Sequence, residues 1–375
     1  MDKEHIRKYV GDMSQVAGIK SYKYLDGKSS GIKAVDFWTG TGLHFTVLLD
    51  RCMDISQASY NGRSLCWRSP AKEVHPYLYE TQGFGWVKGF FGGLLTTCGL
   101  TYLGAPCIDQ GESLGLHGRI SYIPAENLSI RQEWVNSDYV LSVEGSMRQV
   151  SVFGENLTLT RKITAWFDKS EILIEDRVDN ISFKESPFMM LYHINIGFPL
   201  LSPNSRFMSN SHKIAPRDKE AENGIESYDV FQEPSSEYKE KVYYHEMKED
   251  EKGIVRCAII SNETEEPFGS YLIYNKKELP QFVQWKMLEN QYYVLGIEPS
   301  NCWTEGRDKE REWGTIDFIK PGERRSFSLR LGVFTCKPDI DKFLQKIENV
   351  VRKKRTQVIS KSDMIGIKKD HLKSN

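Results

Sequence analysis

LSIRQEWV (128–135), DYVLSVEGSMRQV (138–150), ENLTLTRKITAWF (155–167) and SEILIEDRVDN (170–180) decide the fold class of this chain. Within each run apolar and polar residues tend to alternate, so every second side chain falls on one face of a strand. The breaks between them, Asn136-Ser137-Asp138, Gly154-Glu155-Asn156 and Asp168-Lys169-Ser170, are built from turn-forming residues. Strand after strand joined by short turns predicts an antiparallel meander with one wet face. No helical period is interposed, which argues against a parallel, Rossmann-like sheet and for stacked antiparallel sheets.

Working outward, IKAVDFWTG (32–40) and LHFTVLLDR (43–51) are β-branched and aromatic runs around Gly40-Thr41-Gly42, a hairpin signature. Near the other end, TIDFIKPGERRSFSLRLGVF (315–334) reads as a hairpin turning at Pro321-Gly322. In residues 1–20, Ile6, Tyr9, Val10 and Met13 have helical spacing and predict a lead-in helix. From Asp339, the set Ile340, Phe343, Leu344, Ile347, Val350 and Val351 predicts a C-terminal helix, followed by RKKR (352–355) and a solvated basic tail. The expected organisation is thus a helix over 1–20, an all-β body over 21–336, and a helix with tail over 337–375. Residues 203–252 read as a polar excursion carrying no chemistry, with His212 and His245 solvated, and TEGRDKEREWG (304–314) as a charged loop. No repeat of fixed period stands out, so a propeller or solenoid is not indicated.

At 375 residues, with 39% hydrophobic and 12% aromatic residues, the chain can bury a large core. Lys plus Arg (50) balances Asp plus Glu (51), so no global field draws it to nucleic acid or an anionic membrane, and a neutral small molecule is the expected partner. Seven scattered cysteines show no CxxC or Cys/His spacing, which predicts reduced thiols and no zinc site. No run approaches a membrane span or a signal peptide, and a cytoplasmic location is expected.

Three apolar, glycine- or proline-bounded segments each present a proton-transfer side chain. In LGLHGRIS (114–121), a strand would point His117 and Arg119 to the same side. In PFMMLYHINIGFP (187–199), His193 is apolar on both sides and Asn195 shares its face; burial would bias the imidazole to its neutral form. In VLGIEPSN (294–301), Glu298 precedes Pro299, which ends ladder pairing and places a carboxylate at a strand end. The stretch GFGWVKGFFGGLLTTCGL (83–100), with six glycines, Lys88, Trp86 and Phe90, fits a loop wrapped about a sugar but matches no phosphate-loop or dinucleotide spacing. DRCMDI (50–55) sets Arg51 and Asp54 in apolar surroundings, where they must be paired or face a cleft.

Taken together, LLDRCMDI, WRSP (67–70), GGLLTTCGL, LGLHGRIS, LYHINIGFPLL and LGIEPSN, in that order across most of the chain, resemble the aldose 1-epimerase (galactose mutarotase-like) superfamily, in its uncharacterised aldose-epimerase-like branch. The resemblance implies a β-sandwich of large twisted antiparallel sheets, a supersandwich, with a sugar on the concave face. It implies anomer interconversion by ring opening without metal or organic cofactor, on a sugar or sugar phosphate, with a homodimer as a candidate assembly. It assigns Glu298 as base, His193 as acid to the ring oxygen, His117 as a second histidine beside the ring, and Arg119 as a hydroxyl or phosphate ligand. Arg51, Asp54, Lys88, Asn195, Gln284 and Trp303 are further candidates for substrate contact. A sugar-binding sensor without turnover and a sugar isomerase or epimerase acting at C2 are the alternatives. The acid histidine is followed by Ile-Asn-Ile-Gly rather than the aromatic pair usual in mutarotases, which leaves the sugar open.

Overall fold

The computed structural model describes residues 3–262, 268–352 and 354–366. Five strands, β1 Gly18–Lys23, β2 Lys33–Trp38, β3 Leu43–Leu48, β4 Asp54–Tyr60 and β5 Arg63–Ser64, form an antiparallel sheet in sequence order. Next come β6 Thr96–Leu100 and the small hairpin of β7 Cys107–Asp109 and β8 Glu112–Leu114. The meander follows as β9 Glu126–Val135, β10 Asp138–Val150, β11 Asn156–Trp166 and β12 Glu171–Asn180, paired consecutively and antiparallel. Its alternation shows in burial: on β12, Ile172, Ile174 and Val178 are buried while Glu175 and Arg177 are exposed.

The later strands are β13 Ser186–Gly197, β14 Ser205–Ser209, β15 Ser211–Pro216, β16 Lys241–Met247, β17 Ile254–Ser261, β18 Phe268–Asn275, β19 Gln281–Glu289, β20 Tyr292–Ser300, β21 Asp317–Ile319, β22 Arg324–Phe334 and β23 Gln357–Val358. One large sheet runs β14-β17-β18-β22-β12-β11-β10-β9; the other runs β21-β13-β20-β19-β16-β15-β23, with β6 paired to β13. Helices are few: α1 Lys3–Ile6, α2 Lys219–Asn223, α3 Arg307–Trp313, α4 Lys337–Val351 and α5 Lys361–Ile365. The molecule is an all-β sandwich of antiparallel sheets, and among the described residues no helix is long and apolar enough to cross a membrane.

β13 is apolar on both faces because it separates two packed regions. Met190, Tyr192, Ile194 and Ile196 point into the main core, whereas Met189 and Leu191 join a second cluster with Trp86, Phe90 and Val283. Burying each such aliphatic side chain contributes about 1.5–3 kcal/mol. Through the main core runs a fully buried ion cluster. Arg161 of β11 donates to both oxygens of Asp176 on β12 (2.9 and 2.6 Å) and to Asp54 Oδ1 on β4 (2.9 Å). Tyr192 of β13 donates its hydroxyl to Asp176 (2.7 Å), and Thr97 of β6 donates its amide and hydroxyl to Asp54 (3.0 and 2.6 Å). One guanidinium thereby ties together the N-terminal sheet and both large sheets.

Several segments depart from expectation. The lead-in is helical only over Lys3–Ile6, because Asp12 caps a short turn and β1 takes over at Gly18. Residues 203–252 contain β14, β15, α2 and β16, and His245 is buried, hydrogen-bonded to Ser211 (2.8 Å) and Gln284 (3.0 Å). His212 is partly exposed and lies 3.4 Å from Glu246. The charged run 304–314 holds α3, whose Arg307 is buried against Asp109 at 2.6 Å. Ile340, Phe343 and Ile347 of α4 pack on Ala258, Ile260 and Phe334. Beyond α4 the chain returns to the sheet as β23, parallel to β15; the expected tail beyond Gly366 lies outside the described residues.

Replacing Arg161 by Met strands two carboxylates without their cation. Urea unfolding of Arg161→Met is expected to lose about 3–5 kcal/mol, and a loss below 1 kcal/mol would show that the cluster does not join the sheets.

Candidate active site

His193 lies on β13 and Glu298 on the adjacent β20. The register pairing Leu191 with Ser300 and Ile194 with Ile297 brings the two side chains alongside. His193 Nε2 is 3.3 Å from Glu298 Oε1, and both side chains are buried. The contact is at ion-pair distance but is not aligned as a hydrogen bond, so Glu298 Oε1 has no protein partner. The His193 and His117 Nδ1 atoms likewise lack one. Buried polar groups are nearly always paired, so these three atoms on three neighbouring side chains are open to a hydrogen bond from a ligand or water.

The strand on which His117 and Arg119 were expected is instead a tight turn. His117 adopts φ +56° and Gly118 φ +80°; a left-handed non-glycine residue costs about 1–2 kcal/mol. A Cβ at Gly118 would lie 2.2 Å from the Gly99 carbonyl, so only glycine lets the turn seat against β6. The turn is pinned by His117 N to Gly104 O (3.0 Å) and Gly99 N to His117 O (3.1 Å). Its imidazole stands edge-on to His193, ring centroids 6.0 Å apart, and against Trp86 at 4.8 Å. Gly296 clears the carboxyl on the other side, since a Cβ there would lie 2.2 Å from Glu298 Oε1.

All three side chains line one hollow of about 840 Å³. Trp67, Trp86, Phe90, Trp285 and Tyr292 form an aromatic wall, and Arg217, Glu240, Glu305, Lys309 and Lys361 form a charged rim. Burial sets the protonation here. It depresses His193 to about 3, with the neighbouring His117 adding to the effect, and His117 to about 4, aided by Arg217. It raises the Glu298 carboxyl well above the usual range, with Glu240 adding and Arg217 opposing. Both shifts favour a neutral pair that shares one proton over a wide pH interval. Among the described residues, no group of three or more His, Cys, Asp and Glu could hold a metal ion.

The other sequence candidates fall outside this lining. Arg119 turns to Glu155 in an ion pair, and neither residue lines the hollow. Arg51 is buried and donates to the carbonyls of Ser121 (2.6 Å), Val74 (2.7 Å) and Gly89 (3.1 Å), bracing the loops behind the hollow. Asp54 belongs to the core ion cluster, and Lys88 is exposed and paired with Glu80. Asn195 is buried, donating to the carbonyls of Gly92, Gly93 and His193. Gln284 faces away because Val283 and Trp285 of β19 face the hollow, and a strand alternates; it bonds His245 instead. Trp303 is buried against Tyr244, while its neighbours Thr304 and Glu305 reach the hollow. Sequence reading missed Arg217, Asp218, Glu240 and Lys361, which sit in polar stretches without period, and also the Trp67 and Trp285 rings, which lie in the mixed runs LCWRSP (65–70) and FVQWKML (282–288).

Residues 29–333 match the family DUF4432, described as a domain of unknown function. No curated protein matches the chain. Among solved structures, a Klebsiella pneumoniae protein with a provisional aldose 1-epimerase assignment superposes with TM-score 0.86 at 22% identity, covering 96% of this chain and 93% of its own. A galactose mutarotase-like protein from Clostridium acetobutylicum gives TM-score 0.61 at 13% identity, covering 85% and 99%. Galactose 1-epimerase from Lactobacillus acidophilus gives 0.55 at 12%, covering 86% and 100%. At these identities the likeness is one of fold, and it agrees with the sandwich described above. The chain is a member of the DUF4432 family with a galactose mutarotase-like fold.

Proposed function

We propose that this protein is an aldose 1-epimerase, a mutarotase that interconverts sugar anomers by ring opening at His193 and Glu298. The observation that carries the reading is the placement of one carboxyl and one imidazole 3.3 Å apart at the floor of a hollow with an aromatic wall. Ring opening needs a base for the C1 hydroxyl proton and an acid for the ring oxygen, and both must regain their starting state when the ring closes on the other face. A pair sharing one proton meets that requirement.

The proton count runs through the cycle without remainder. With the proton on His193, Glu298 is a carboxylate: it takes the C1 hydroxyl proton while His193 protonates the ring oxygen, and the C1–O5 bond breaks. The open-chain aldehyde then faces a protonated Glu298 and a neutral His193, the arrangement that burial favours. Rotation about C1–C2 and reversal of both transfers closes the other anomer. His117, neutral through burial, is a hydrogen-bonding group beside the ring oxygen. Trp285, edge-on to His193 with centroids 5.4 Å apart, supplies a flat apolar surface for the sugar ring. The shared proton also speaks for catalysis over passive binding, because a sensor has no need of an uncompensated buried carboxyl.

Saturation-transfer NMR on the anomers of common hexoses and pentoses is expected to show exchange above the buffer rate. Glu298→Gln, which keeps the volume but cannot cycle a proton, is expected to lower that exchange about 10²–10⁴-fold; wild-type exchange in the variant would remove Glu298 from the mechanism. The pH profile is the second check. Because His193 takes up a proton only near pH 3 and the raised carboxyl gives its proton up above the usual range, kcat/KM should stay on its plateau below pH 5. An acid limb at about 6.5, the ordinary imidazole value, would contradict burial as the controlling effect.

A further inference from the structure

The chain beyond the family-matched segment, which ends at residue 333, comes back to the hollow. β23 pairs in parallel with β15, Ile359 N donates to Ile214 O (2.9 Å), and Thr356 Oγ1 donates to Ser211 O (3.2 Å). Ser360 caps α5 by accepting from Asp363 N (3.1 Å), and Ile365 is buried in the cluster containing Tyr244 and Trp303. This strap carries Lys361 into the lining. Its Nζ lies 3.1 and 3.0 Å from the two oxygens of Glu305, which also accepts from the Tyr244 hydroxyl at 3.0 Å. The expectation of a merely solvated tail is therefore corrected for residues 356–365 by these contacts.

Three features define what this edge would bind. The hollow, about 840 Å³, is large for a single pyranose, since clefts of roughly 300–1,000 Å³ hold drug-sized ligands. Its rim is balanced in charge: Arg217, Lys309 and Lys361 stand against Asp218, Glu240 and Glu305. Arg217 is committed to Asp218 and Glu240, and Lys361 to Glu305, so no cluster of spare cations waits for a phosphate or carboxylate. The Lys361–Glu305 pair, in contrast, offers donors and an acceptor side by side, which suits neighbouring hydroxyls, while Trp67, Trp285 and Tyr292 suit the CH face of a sugar ring.

We propose that Lys361, with Glu305, forms a distal subsite for the second ring of a neutral reducing saccharide whose terminal hemiacetal lies at His193 and Glu298. The inference rests on the reading of the hollow as an aldose site. Lys361 and Glu305 are specificity-determining residues for the far ring, supplied from outside the family-matched segment in the case of Lys361.

Calorimetry on the full chain, with cellobiose, maltose and lactose against glucose and glucose 6-phosphate, tests it. At least one disaccharide is expected to bind about tenfold more tightly than glucose, the size of one charge-assisted hydrogen bond, and glucose 6-phosphate no more tightly than glucose. In Lys361→Ala the disaccharide-to-glucose affinity ratio should fall about tenfold, Lys361→Arg should restore much of it, and Glu305→Gln should lower it as well. The subsite is refuted if no disaccharide outbinds glucose, if glucose 6-phosphate outbinds it, or if Lys361→Ala weakens both sugar classes by one factor. Anomer exchange on the same samples separates the two readings: exchange of glucose without disaccharide preference sinks the subsite alone, whereas preference without any exchange sinks the epimerase.

Discussion

The guanidinium of Arg161 is the point on which the architecture turns. Its fork is divided between Asp176, on the neighbouring strand of the same sheet, and Asp54, on a different sheet, with all three side chains inaccessible to solvent. Burial works against its charge, but the two carboxylates outweigh that and hold it protonated. Such a cluster is stable only when each remaining lone pair finds a donor, and here Tyr192 and Thr97 provide them from β13 and β6. The cluster thus constrains the relative position of three sheets more tightly than apolar packing would, because a charge displaced from its partners inside a core has no substitute.

The site inherits that constraint through strand alternation. Tyr192, anchored to Asp176, is immediately followed by His193, which must face the other way. Thr97, anchored to Asp54, sits on β6, where Met189 to His193 of β13 pair with Leu100 to Thr96. The same β6 accepts the glycine turn that presents His117. Both imidazoles are therefore one residue or one turn away from the buried ion cluster, while the β13–β20 register delivers Glu298. Holding a carboxyl and an imidazole to within a hydrogen-bond length of each other needs supports of this stiffness.

The parts of this arrangement that were legible in the sequence are those with a period. The 128–180 meander announced antiparallel sheets because its residues alternate, and His193 and Glu298 stood out because each interrupts an apolar strand. His117 stood out too, but left-handed backbone at His117 and Gly118 folds its segment into a turn, so Arg119 leaves for Glu155. Arg51 and Asp54 were recognisably out of place in DRCMDI, yet nothing local distinguishes a buried brace from a ligand contact; only the partners, at Ser121, Val74, Gly89 and Arg161, do. Arg217, Glu240 and Lys361 were invisible for a related reason: they lie in aperiodic polar stretches, and tertiary pairing alone brings them to the rim.

Desolvation gives the hollow its chemical character, and the rim decides how far desolvation acts. A carboxyl in open water ionises near its ordinary value and an imidazole stays poised near neutrality; enclosing both beneath aromatic rings pushes them in opposite directions until one proton serves the pair. A surplus of cations at the rim would draw that proton away, and a surplus of anions would bring a second proton to the pair. The internal pairing of Arg217 with Glu240 and of Lys361 with Glu305 avoids either outcome and leaves the floor neutral. Charge balance at the edge and proton sharing at the floor are in that sense one requirement, and a ligand with its own net charge would disturb both.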